Sequence, residues 1–311
     1  MKKINVGTTD LSIAPLIFGG NVFGWTIDEQ TSFNLLDQFF DKGFNCVDTA
    51  DVYSAWAPGN KGGESETIIG KWLKQTGRRE DVILITKVGY NVKSGLSKKH
   101  ILECINASLQ RLQTDYIDLY FSHQDDGVTP FEETLQTYQE LIAAGKIRHI
   151  GASNFPAERL EESMKISAEK QLPAYTVLQP PGNLYDRAFE QEYKEVVEKN
   201  GLGVITYSSL ASGFLSGKYK SEEDFSKSVR GKGMSKFMND KGKKILKALN
   251  EISGKHNYPP AAVALAWLIQ HPMVTAPIAS ATKEAQLNEL MQAADINLPA
   301  SDIEILNNAG K

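Results

Sequence analysis

Three ionisable side chains close apolar runs in this chain. Asp48 follows 44–47, Lys87 follows 82–86 and His123 follows 117–122, while Tyr53 lies five residues beyond Asp48. A lysine carried into an apolar interior needs a charged partner, because an isolated desolvated charge is costly. Asp48 is the natural one. A phenol beside that ammonium has its ionised form favoured, so the Tyr53 pKa is expected to fall from about 10. Such a tyrosine suits general-acid work on a carbonyl oxygen, and His123 suits a hydrogen bond to the same oxygen. His100, His256 and His271 lie in or at the ends of helical stretches and His149 enters a strand, so all four read as structural. No H-x-H pair occurs, and Lys87 would oppose a cation held by Asp48, Asp51 and His123. No metal site is expected.

Positioning these groups falls to short β-rich runs at 16–21, 44–48, 82–87, 117–123, 147–154, 176–179, 203–207 and 274–280. Helical patterns separate them. Ser97 precedes a stretch in which Ile101, Ile105, Leu109 and Leu112 recur at helical spacing. Thr129 with Glu132 reads as a capping box with Pro130 at the first helical position, and Gly145 as the stop. Pro259 and Pro260 open another helix, and Ser301 with Glu304 a last one. Strands alternating with helices imply a parallel sheet, and nearly continuous apolar strands imply that both faces are covered. Eight such units in a chain of this length predict a (β/α)8 TIM barrel as a single domain over 1–311. An open dinucleotide-binding sheet would need G-x-G-x-x-G after its first strand, which FGGNVFGW does not supply. Residues 4–13 read as a β-hairpin at the barrel bottom. Residues 211–240 form a long Gly-, Ser- and Lys-rich loop of the kind that carries function. In a barrel, chemistry sits at strand C-terminal ends. Seven of these ends offer candidate groups: Asp48, Lys87, His123, Ser153 with Asn154, Gln179, Tyr207 and Ser280.

Composition narrows the function classes. The 311 residues carry 34 Lys and Arg against 38 Asp and Glu, a formal charge of −4, with 41% hydrophobic and 23% charged residues. That balance excludes a dedicated nucleic-acid binder. The longest apolar run, 261–269, is too short to cross a bilayer. The first residues lack the apolar stretch of a signal peptide, and Cys46 and Cys104 cannot build a disulfide framework. A cytoplasmic protein is expected.

FNCVDTADVY at 44–53 with GESE at 63–66 and Gly70, ITK at 85–87, LYFSH ending at His123, GKIRHIGASNF at 145–155 and ITYSSLASGFLSGKY at 205–219 together resemble the aldo-keto reductase family. The likeness runs from the N-terminal hairpin to about Leu290. It implies an NAD(P)H-dependent oxidoreductase of aldehydes and ketones, or of the corresponding alcohols or sugars, with a catalytic tetrad at Asp48, Tyr53, Lys87 and His123. It further implies that Ser153, Asn154 and Gln179 hold a nicotinamide carboxamide and that Tyr207 stacks on the ring. Ser208, Leu210, Ser212, Gly213, Leu215, Ser216 and Lys218 match the family's pyrophosphate-binding run. At the adenosine end the arginine common in the family is absent, leaving Ser280, Thr282, Lys283 and Gln286, with Arg230 of the long loop as a candidate cation. NADPH is expected ahead of NADH. Phe23, Trp25 and Trp56 are expected to form an apolar substrate wall.

Two other readings compete with the oxidoreductase. One is a cofactor-binding regulatory or sensor protein. The other is a lyase in which Lys87 forms a Schiff base, which requires a lysine without a tight carboxylate partner. The expected partner is a small carbonyl compound or sugar, with no nucleic acid or membrane, in a monomer or weak oligomer.

Overall fold

The computed structural model describes residues 1–219, 222–227 and 231–310. An antiparallel hairpin, β1 (Ile4–Asn5) and β2 (Ser12–Ile13), precedes eight parallel strands closed into a barrel. These are β3 (Ile17–Gly19), β4 (Cys46–Asp48), β5 (Ile83–Val88), β6 (Ile117–Ser122), β7 (Ile147–Ser153), β8 (Val177–Gln179), β9 (Gly203–Thr206) and β10 (Ala276–Ala279), with β10 pairing back onto β3. The architecture is the expected (β/α)8 TIM barrel. The ladders are shorter than the apolar runs because the run ends leave the register to build loops.

Side chains alternate across the wall. On β6, Leu119 and Phe121 face the barrel interior while Tyr120 faces the helices. The interior is filled by Ile17, Cys46, Ile85, Val177, Ile205 and their neighbours, and Val6, Leu11 and Ile13 of the hairpin join them, closing the bottom. Asp10 in the hairpin turn pins it from outside through Arg148 Nη2 (2.7 Å) and His149 Nε2 (2.6 Å).

The outer layer comprises α1 (Glu29–Asp41), α2 (Glu64–Thr76), α3 (Lys98–Leu112), α4 (Phe131–Ala143), α5 (Ala157–Lys170), the short α6 (Phe189–Glu192) and α7 (Lys194–Asn200), α8 (Asp240–His256), α9 (Pro260–Ile269), α10 (Glu284–Gln292) and α11 (Ala300–Ala309). Local chemistry sets their starts. Asp28 caps α1 by accepting from Thr31 N, and Asn239 caps α8 through Gly242 N. Two expected starts differ. Pro130, not Thr129, is the N-cap of α4, and the Thr129 hydroxyl donates to Asp126 instead (2.6 Å). The last helix begins at Ala300 after Pro299, without a cap from Ser301. Gly145 follows α4 at φ +70°, as a stop glycine should.

The stretch expected as a loop is wound into three 3-10 segments, Ala211–Ser216, Glu222–Lys227 and Gly231–Phe237. Its own aromatics hold it together: Phe214 stacks on Phe237 at 5.2 Å, and Tyr219 meets Phe225 at 6.2 Å.

Candidate active site

Asp48 ends β4 and Lys87 lies near the end of the adjacent β5, so the barrel register itself brings them together. Lys87 is fully buried, and its Nζ donates to Asp48 Oδ2 (2.7 Å), to the Thr49 carbonyl (2.7 Å) and to Tyr53 Oη (2.9 Å). Tyr53 Oη in turn donates to Asp48 Oδ2 (3.1 Å). Gln179 Nε2, from β8 across the barrel, donates to the other carboxylate oxygen (3.0 Å). The His123 ring sits 6.1 Å from the Tyr53 ring. All four tetrad positions thus converge at the C-terminal rim.

The sequence GESE does the bracing. Glu64 accepts from Lys61 N (2.8 Å) and Gly62 N (3.0 Å), folding the loop that follows Tyr53 onto the start of α2. Ser65 Oγ accepts from Thr49 Oγ1 (2.8 Å) and donates to the Gly20 carbonyl (2.8 Å). Glu66 takes Thr86 Oγ1 (2.5 Å) and Arg111 Nε (2.7 Å). One helical turn therefore fixes the ends of β4 and β5, where Asp48 and Lys87 stand.

Electrostatics follow from burial. Desolvation pulls the Lys87 ammonium down from its ordinary pKa while Asp48 pushes back. His123 is held well below the usual imidazole value, by burial first and Lys87 second, so it is neutral at pH 7. Its Nδ1 has no hydrogen-bond partner among the described residues. Tyr53 differs from expectation. Burial and the Asp48 carboxylate hold its phenol well above the ordinary value, because losing the proton donated to Asp48 would leave two negative charges together.

A cleft of about 940 Å³ runs from Tyr53 and Asp48 to Gln286 and Glu289. Tyr207, Ser208, Leu210, Ser212, Gly213, Ser216 and Lys218 line its middle, and Ser280, Thr282, Lys283 and Gln286 its far end. Ser208, Ala211, Ser212 and Gly213 all take positive φ, between 48° and 99°. Residues of that kind curl the backbone beside the cleft, with the Ala211 and Gly213 N–H groups donating to the Ser208 and Leu210 carbonyls (2.7 and 2.9 Å). Gly213 stands at φ +99°, where an L side chain is strained, so glycine suits the turn. Leu215, expected in this run, points into the core instead and is fully buried.

Ser153, Asn154 and Gln179 are tied into the same rim, next to the cleft-lining Asp48 and Tyr207. Ser153 Oγ donates to the Gln179 carbonyl (2.8 Å), and Asn154 joins the His123 carbonyl (2.8 Å) to Tyr207 Oη (2.8 Å). At the outer rim Trp25 and Trp56 meet edge to face at 5.5 Å, with Trp56 6.0 Å from Tyr53. Phe23 is not part of this wall: it is fully buried and stacks on Phe18 at 5.4 Å. Sequence reasoning missed Tyr90, which covers the His123 ring at 4.7 Å, and Asn21, which accepts from Ser280 Oγ (2.7 Å) and lines the cleft. Position supplied the only signal, since each follows a strand end. Arg230 lies outside the described residues.

Comparison with known proteins agrees with this geometry. The profile of the Aldo/keto reductase family matches residues 15–311. The aldo-keto reductase YhdN of Bacillus subtilis (strain 168) is 34% identical over 298 residues, covering 93% of this chain and 86% of that protein. An uncharacterized oxidoreductase of the same organism, YrpG, is 32% identical over 317 residues, covering 99% and 95%. A probable voltage-gated potassium channel subunit beta of Arabidopsis thaliana is 33% identical over 310 residues, covering 95% and 92%. With a family profile spanning nearly the whole chain, on the barrel and rim described above, the chain belongs to the aldo/keto reductase family.

Proposed function

We propose that this protein reduces aldehydes or ketones with NADPH, or oxidises the corresponding alcohols or sugars, with Tyr53 as the general acid. Nicotinamide cofactors and carbonyl chemistry belong to the family in general. The observation that carries the finer reading is the Tyr53 hydroxyl held between Lys87 Nζ and Asp48 Oδ2 at the inner end of the cleft. The small residues Ser208, Ser212 and Gly213, all at positive φ, suit the close approach of a pyrophosphate, Tyr207 a nicotinamide ring, and Lys283 with Ser280 and Thr282 a 2′-phosphate. Bound there, the reduced nicotinamide supplies a hydride for the carbonyl carbon.

The remaining steps fall to the chain's own residues. Tyr53 keeps its proton at neutral pH and yields it to the carbonyl oxygen as negative charge develops, a forming alkoxide being a stronger base than a phenolate. Lys87, 2.9 Å away, stabilises the phenolate left behind, and Asp48 holds Lys87 in place. Neutral His123 offers a ring N–H to the same oxygen. Trp25, Trp56 and Tyr90 favour a substrate with an apolar body beside its carbonyl. Lys87 has its donors engaged and a carboxylate at 2.7 Å, which weighs against the Schiff-base lyase. A cytoplasmic, single-domain monomer or weak oligomer fits this reading.

Tyr53→Phe tests it. The variant should bind NADPH with unchanged affinity, followed by tryptophan fluorescence, and lose at least about 100-fold in kcat on a small aldehyde. Full turnover would sink the mechanism. The likeness to a channel subunit favours a second reading, a cofactor-loaded sensor. Tight NADPH binding with negligible wild-type turnover across an aldehyde and ketone panel would favour it.

A further inference from the structure

Asp51 stands beside the reaction centre without a part in the mechanism above. Its backbone N–H donates to the Lys87 carbonyl (3.2 Å), which ties it to the strand end that carries the lysine. Its Oδ1 is sealed from solvent and has no hydrogen-bond partner among the described residues. Charged and titratable groups surround it. The charges that act on it are Lys87 of β5, Glu66 of α2 and Arg111 of α3, and it acts in turn on the Cys104 thiol of α3. It acts likewise on Tyr120 of β6, whose Oη is also sealed and has no hydrogen-bond partner among the described residues. Both Glu66 oxygens are already engaged by Thr86 and Arg111.

Its Oδ1, sealed without a donor, makes the carboxylate costly to ionise, and the Val52 N–H offsets this only in part. What it does deliver is negative charge near Lys87. Asp48 Oδ2 serves Lys87 and Tyr53 at once, so the buried ammonium leans on a shared partner. Asp51 adds to Asp48 in favouring the charged lysine, ahead of Glu66.

Resting on the reductase reading, we propose that Asp51 is a positioning residue: its carboxylate is a second negative charge that keeps Lys87 an ammonium, so that Tyr53 has a cation beside it when it gives up its proton. The Asp51 carboxyl is itself pushed up to about 7 by burial and by Glu66. Its charge therefore switches on across the neutral range.

The first test needs neither cofactor nor turnover. Lysine-13Cε NMR follows Lys87, assigned by the signal lost in Lys87→Met, through a pH titration of the cofactor-free protein. The wild-type resonance should show a small step near pH 7 as Asp51 ionises. In Asp51→Asn that step disappears, and the main Lys87 transition moves to lower pH by about one unit. Unchanged titration of Lys87 in Asp51→Asn overturns the proposal. Should that variant not fold, absence of the wild-type step overturns it alone.

The second test is kcat against pH for NADPH-dependent reduction of a small aldehyde. The basic limb should move to lower pH in Asp51→Asn by about the same unit and return in Asp51→Glu, with NADPH affinity constant. Equal fractional loss at every pH would mark a merely structural residue. A wild type without turnover would sink the reductase reading while the NMR titration still decides the coupling.

Discussion

Burying Asp51 costs stability, and the cost has a sign. Its carboxyl is raised from 3.8 to about 7 in the fold. A group whose folded pKa lies above its unfolded value contributes stability below the unfolded pKa and loses it as pH rises through the folded one. The window is therefore pH 4 to 7, and the full shift amounts to on the order of 4 kcal/mol. Asp51→Asn removes the linkage. Urea denaturation should show the variant gaining on the wild type between pH 5 and pH 8, and a constant gap would refute the assignment. The convergence of Asp48, Tyr53, Lys87 and His123 was legible in the sequence because each stands at or shortly after a strand end, and strand ends converge in a barrel whatever the packing. Asp51 was not legible, since its isolation depends on how α2, α3 and β6 pack around it. Phe23 and Trp25 mark the same limit: two residues apart, one stacks on Phe18 in the core and the other lines the cleft. The Tyr53 shift runs opposite to the sequence expectation because burial and the Asp48 carboxylate outweigh nearness to Lys87.

Helix α2 carries its burden through a close approach to α3. A Cβ added at Gly70 would stand 2.1 Å from the Arg111 carbonyl oxygen and 2.6 Å from the Leu112 carbonyl carbon. These are backbone atoms of a helix, and they cannot swing aside. Gly70→Ala should therefore destabilise by about 1–3 kcal/mol through overpacking, although alanine favours an isolated helix by about 1 kcal/mol. A urea midpoint equal to or above the wild type would show that the helices slide apart freely. The strain should also reach the site, since Glu66 lies one turn before Gly70 and holds both Thr86 and Arg111. Strands and long helices were legible because their apolar periods are dictated by burial. Helix starts were less so. Thr129 has the residue type of a cap, but Asp126, three residues earlier, captures both its hydroxyl and its N–H. Likewise the stretch after Ala211 looked like open loop, because nothing in its spacing announced that Phe214, Tyr219, Phe225 and Phe237 would pair.

The whole molecule is closed at one end and open at the other. The hairpin seals the bottom with Val6, Leu11 and Ile13, while the top is split by the long cleft. A dinucleotide bound along that cleft would bridge the loop after β9, the start of α10 and the rim around Tyr53. Binding to the folded state alone stabilises it by RT ln(1 + [L]/Kd), about 2.7 kcal/mol at a hundredfold excess over Kd. Unfolding entropy scales with length, so a chain of this size should gain about 4 °C in melting midpoint. On the proposed reading NADPH should give the larger shift at equal concentration, because Lys283, at the N-cap of α10 and lining the far end of the cleft, would add a cation for the 2′-phosphate. NADH, lacking that phosphate, makes no use of it. Lys283→Ala should therefore lower the NADPH shift towards the NADH value and leave the NADH shift unchanged. The difference should also shrink with added salt, since the lysine is exposed and its attraction is screened. Equal shifts for the two cofactors in the wild type, indifferent to Lys283→Ala, would mean that one lysine and two hydroxyls do not replace the arginine absent at this end, and the assignment would move to NADH or to dual use.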